Sequence, residues 1–157
     1  MASTTENLKF KEMDKSLYYK DYIALGKEAE LERGFASMRL EIEDSPLFVK
    51  RLVEVAIENY KENKFSYDGA TFVKERYEHT RFEAAAFPHD MLNGLGYVGY
   101  NVDLLFMITM FTLGYPKGMV FRRVFLMFVG TSINVWRHKK FKKKNYKGDI
   151  NINNYLN

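Results

Sequence analysis

Between Val102 and Trp136 lies a long apolar run that is cut once, by Gly114-Tyr115-Pro116-Lys117-Gly118. That interruption constrains the architecture more than any other feature. Glycine and proline gathered in so short a stretch stop a helix, so the run divides into two segments of helical length, about Asn101 to Leu113 and Met119 to Lys139. A bilayer span needs about 20 clean apolar residues. Neither piece has them, because Arg122-Arg123 sits inside the second. The run therefore predicts a helical hairpin buried in a core. On that reading the series Phe106, Phe111, Phe121, Phe125, Phe128 and Trp136 is core packing; the alternative leaves part of it, with its methionines, as a partner-binding face.

The rest of the chain suits one domain around that hairpin. A length of 157 residues supports a single core. The absence of cysteine removes disulfide scaffolds, thiolate nucleophiles and cysteine-ligated metal sites. Residues 1–20 are polar and mixed in charge and read as a flexible arm able to order on a partner; nothing in them resembles a signal peptide, which implies synthesis in the cytoplasm. A single helical domain is expected over residues 21–139, followed by a basic, then polar, tail over 140–157.

Within the domain, Tyr22 to Phe35 predicts a short helix and Ser37 to Glu43 alternates so that Met38, Leu40 and Ile42 share one face of a strand. Asp44-Ser45-Pro46 supplies a stop and a start, with Ser45 as cap and Pro46 in the first helical position. Leu47 to Asn63 then carries Phe48, Leu52, Val55, Ala56 and Tyr60 at helical spacing, although its β-branched residues keep a strand in competition. After a turn at Tyr67-Asp68-Gly69, a second helical pattern runs from about Val73 to Leu92 and meets Pro88, which either kinks it or lets His89 open a new turn. The expected fold is a small, mainly α domain with an antiparallel helix pair carrying the His89-Asp90 dipeptide, and room for one short β-hairpin.

Charge is distributed unevenly. Leu104 to Gly148 contains ten Lys or Arg and no acid, which leaves the remainder of a chain of net charge +4 at net −6. The C-terminal third, and the stretch 137–147 above all, thus suits an anionic partner: nucleic acid, a phospholipid surface or an acidic patch on another protein. No motif for reading bases accompanies it.

The chain has three histidines. His79 lies in a charged helical stretch and His138 in the basic tail, where each has an ordinary solvated role. His89 differs, because the glycine-rich link from Asn93 to Gly99 is short enough to bring Asp103, in the first turn of the next helix, back to it. A carboxylate on one imidazole nitrogen fixes the tautomer and leaves the other free to take a proton from water. Asp90 points about 100° away around the helix and is available for a hard cation. A packed histidine beside a solvated aspartate explains the same dipeptide without any chemistry.

Taken together, F-S-Y-D-G-A-T-F at 65–72, F-E-A-A-A at 82–86, H-D-M-L at 89–92, D-L-L-F at 103–106 and Gly114 resemble a phage-associated domain family of unknown function. Its signature is a DGAS-type turn, an alanine-rich helix ending in HD-x-L-Y, and an AD-x-x-F helix; the resemblance spans residues 63–137. The arrangement is also distantly similar to prokaryotic phospholipase A2. That similarity implies His89 as the water-activating base, Asp103 as the carboxylate that orients it, and a calcium ion held by Asp90 with backbone carbonyls at Asp68-Gly69. Asn93 stands where a tyrosine usually follows the His-Asp pair, and Pro88 directly precedes the histidine. The resemblance therefore implies two candidate functions: a non-enzymatic virion or assembly component working with other phage proteins, or a calcium-assisted ester or lipid hydrolase.

Overall fold

The computed structural model describes residues 17–67, 80–141 and 146–157. Among them are seven helices: α1 (Tyr19–Ala24), α2 (Glu28–Glu41), α3 (Leu47–Lys61), α4 (Thr80–Gly94), α5 (Tyr100–Thr112), α6 (Lys117–Phe141) and α7 (Asn153–Leu156). The mainly α class holds. No β-hairpin is present among these residues, only two isolated bridges, Leu17 with Tyr67 and Tyr97 with Gly148.

The strand expected at Ser37–Glu43 is helix instead. Its alternation is embedded in a longer helical repeat, in which Leu31, Phe35, Met38 and Ile42 are buried while Leu40 is 70% exposed. Tertiary burial along the 3.6-residue period prevails over a local period of two. The predicted Tyr22–Phe35 helix is likewise split at Gly26, whose φ of 72° belongs to the left-handed region that glycine enters without strain.

The start of α3 also departs from expectation. Pro46 occupies the cap position and no side chain caps the helix; the Ser45 amide instead donates to the Ile42 carbonyl at 2.9 Å. Helix α3 buries Val49, Leu52, Val53, Ala56, Ile57 and Tyr60, so its inner face is rotated from the one predicted and Val55 lies outside it.

Helix α4 is central, packing against α2, α3 and α5, while α5 in turn packs on α6. It runs through Pro88 without ending, although proline has no amide to offer the Ala84 carbonyl. Packing supplies the compensation. The Phe87 ring, fully buried, meets Phe35, Tyr60, Phe65 and Tyr67 at centroid separations of 6.1, 5.6, 5.4 and 4.8 Å. Burying one such ring is worth roughly 2–3 kcal/mol.

The described part of the tail is bonded to the helical domain. Lys147 donates its amide to Gly96 and Val98 donates to Gly148, at 2.8 and 3.0 Å. Asp149 then caps α5, its carboxylate accepting from the Asn101 and Val102 amides at 3.0 and 3.3 Å. A Cβ at Gly99 would lie 2.1 Å from the Asp149 Cγ, so only glycine permits this approach. Negative charge at a helix N-terminus is favourable. The segment continues with Ile150 buried and α7 against α3.

Helix α6 forms the outermost layer. Val120, Val124 and Thr131 face the body, but Phe121, Phe125 and Trp136 are 57%, 67% and 57% exposed. The expected buried hairpin is thus buried on the α5 side only. Of the aromatic series, Phe106 is core and Phe111 and Phe128 are partly covered.

Candidate functional site

The short turn between α4 and α5 brings His89 and Asp103 together. The His89 Nε2 lies 3.0 Å from Asp103 Oδ1. The second carboxylate oxygen accepts from the Thr131 hydroxyl of α6 at 2.5 Å. Asp103 is 2% exposed and Thr131 8%, so the pair of bonds satisfies a carboxylate that would otherwise be costly to bury. The His89 side chain is 11% exposed, with the edge of its ring system against Phe106 at 5.4 Å between centroids.

The other imidazole nitrogen looks outward. Asn93, one turn along α4, places its amide nitrogen 3.4 Å from His89 Nδ1, and the Asp90 carboxylate lies 3.8 Å away. With the imidazole neutral, its Nε2–H donates to Asp103 and its Nδ1 accepts from Asn93. With the imidazole charged, both nitrogens donate and Nδ1 faces Asp90. Burial disfavours the charged ring, but hydrogen bonds to Asp103 and Asp90, together with their charges, outweigh burial and hold the pKa above the ordinary histidine value.

On its inner side, among the described residues, the ring borders a narrow void. The void beside His89, walled by Leu52, Pro88, Leu92, Val102 and Phe106, measures about 10 Å³. That volume is at the threshold for a single water molecule. A larger cavity of about 200 Å³ lies elsewhere, between Arg51 and Val55 of α3 and Tyr155 of the tail.

Of the residues expected to hold calcium, Asp90 turns to the surface with its side chain 51% exposed. Asp68 and Gly69 lie outside the described residues, as do His79 and residues 70–72. Calcium takes about six to eight oxygen ligands. Among the described residues, no group of three or more His, Asp or Glu is placed to share an ion. The donors described do not by themselves make a calcium site.

Thr131 is the member that sequence reasoning missed. In these helices a hydroxyl ordinarily bonds back to the carbonyl four residues earlier, as Thr109 does to Leu105, Thr112 to Ile108 and Ser132 to Phe128. Thr131 reaches across to Asp103 instead. A signal existed in its position, since Val120, Val124 and Thr131 follow the helical period on one face of α6. One residue on, Ser132 strengthens the same joint at the surface: its own proton goes to Phe128, so it accepts from the Tyr100 hydroxyl at 2.6 Å.

No protein-family model, no curated protein and no solved structure matches this chain.

Proposed function

We propose that this chain is a non-enzymatic interaction protein, a virion or assembly component of the kind the resemblance implies, in which His89–Asp103–Thr131 is a structural tie between α4, α5 and α6. The observation that carries this reading is that both oxygens of a buried carboxylate, Asp103, are used within the fold, by a residue of α4 and a residue of α6. Such fully satisfied buried networks fix how helices seat on one another. The void on the inner side of the ring, about 10 Å³, admits at most one water and no ester.

A second reading, a calcium-assisted hydrolase, draws support from one distance, the 3.0 Å between His89 Nε2 and Asp103 Oδ1, which leaves Nδ1 on the outer side as a base would need. The two separate cleanly by experiment. Ester hydrolysis and calcium calorimetry on wild type, His89→Gln and Asp90→Ala should give no turnover and no saturable calcium heat. Turnover that is lost in His89→Gln, with the far-ultraviolet spectrum unchanged, would establish the hydrolase instead.

A further inference from the structure

From the outer face of α6 we infer a docking surface for an anionic phospholipid bilayer, with the helix lying in the plane of the interface. Of twelve large apolar residues that are exposed among the described residues, six are on this helix: Phe121, Phe125, Leu126, Val129, Ile133 and Trp136. At about 100° per residue these six fall within an arc of roughly 140° and extend about 22 Å along the axis. They form one stripe. Soluble monomers seldom leave an apolar strip of this extent uncovered unless something binds there.

Charge selects the occupant. The stripe is flanked by exposed cations, Arg122 and Arg123 toward one end and Arg137, Lys139 and Lys140 at the other, and no acid occurs from Leu104 to Gly148. A second copy of the chain fits badly. Antiparallel pairing sets Arg137 and Lys140 of one molecule over Arg122-Arg123 of the other, and parallel pairing sets like on like. Nucleic acid would accept the cations, but Leu126, Val129 and Ile133 have no flat face on which bases stack. A bilayer with anionic headgroups offers hydrocarbon to the stripe and phosphates to both ends. Trp136 stands at the basic end, with Lys140 Nζ 4.7 Å from its ring centre, where an indole can sit among headgroups.

The helix lies on the bilayer and does not cross it. Against the expectation from the sequence, Lys117–Arg137 is by length and composition apolar enough for a span in spite of Arg122-Arg123, its most apolar 18 residues having a mean hydropathy of 1.2. Crossing would strip Val120, Val124 and Thr131 from α5, break the hydrogen bond to Asp103, and carry Arg122 and Arg123 into hydrocarbon. A helix lying in the interface buries only its outer stripe, by about 5–10 Å, and keeps every inner contact.

Trp136 is the sole tryptophan, so its emission reports on this face alone. The full chain would be titrated with phosphatidylcholine vesicles, with and without phosphatidylglycerol, and with brominated acyl chains as quenchers. The expected result is a blue shift and quenching on the anionic vesicles, weakened by salt. Phe125→Glu or Val129→Glu should abolish both at unchanged helicity. Replacing Arg137 and Lys139 by Gln should weaken binding by about fivefold each. Emission that ignores every vesicle would overturn the inference. So would a blue shift that needs no lipid, grows with protein concentration and disappears in Val129→Glu, since a second copy would then cover the stripe. The outcome is independent of the reading of His89: ester turnover would overturn the structural-tie reading and leave lipid docking untouched, and the reverse also holds.

Discussion

Helices α5 and α6 share an apolar make-up of Phe, Val, Leu, Ile and Met with a few hydroxyls, to which α6 adds cations toward its ends, and they meet opposite fates. Helix α5 has α4 against it on one side and α6 on another, so Val102, Asp103, Leu105, Phe106, Thr109 and Met110 are all buried. Helix α6 has its main contact with α5 and shows the stripe from Phe121 to Trp136 to the outside. Apolar composition states that a helix needs cover. It does not state that the same chain provides it. In α5 the need is met internally, and the one charge admitted, Asp103, is fully bonded; in α6 half the need is met, and the other half stays exposed as the face proposed to dock on a bilayer.

The largest expected contrast sets one phenylalanine against another. Phe106→Ala should destabilise the fold by about 3–5 kcal/mol, because a ring 2% exposed leaves a cavity beside His89. Phe125→Ala, at a residue 67% exposed, should stay within about 0.5 kcal/mol in the same urea titration. Equal losses would mean that the stripe is packed and the contrast false.

Next in size, Asp103→Ala should cost about 3 kcal/mol, since it leaves the imidazole and the Thr131 hydroxyl facing a buried space with no acceptor. Asp103→Asn keeps the shape and one acceptor and should recover part of that loss. An alanine variant as stable as wild type would remove Asp103 from the account of how α6 is held.

The smallest effect is in the pH dependence. The folded pKa of His89 lies above the unfolded value, so the native state binds this proton more tightly. Its stabilisation is full below about pH 6.5, the unfolded value, and is lost as the pH rises through the folded one. Denaturation midpoints measured from mildly acid to mildly alkaline pH should fall over that window in wild type and fall less in His89→Gln. A midpoint that climbs with pH there would reverse the sign assigned to the site.

The helices were legible in the chain because their boundaries are chemical. Gly114-Tyr115-Pro116 separates α5 from α6, which takes in Lys117 and Gly118, and Asp44-Ser45-Pro46 separates α2 from α3, although Ser45 spends its amide on the Ile42 carbonyl and makes no cap. The course of α2 was misread because Met38, Leu40 and Ile42 satisfy a period of two locally, and only the placement of Leu31 and Phe35 shows that the longer period prevails. In the site, the approach of Asp103 to His89 was legible from a link too short to carry the helices apart. Thr131 and Asp149 were not, because a threonine in an apolar helix usually bonds within its own turn, and a cap supplied from 48 residues away leaves no local trace. The exposure of α6 was the hardest to read. Hydropathy records what a face prefers to touch, not what reaches it.

Two residues on α6, two positions apart and facing opposite ways, test this account most directly. Thermal unfolding of Thr131→Val and Val129→Glu, measured side by side, compares the loss of a hydrogen bond to a buried carboxylate with a charge placed on the outer stripe. Thr131→Val should lower the melting temperature by on the order of 5 °C, from about 1.5–3 kcal/mol, while Val129→Glu leaves it where it was. A glutamate at 129 that unfolds the protein as far as the valine at 131 would show that both faces of α6 are structural, and would contradict the division of labour between them.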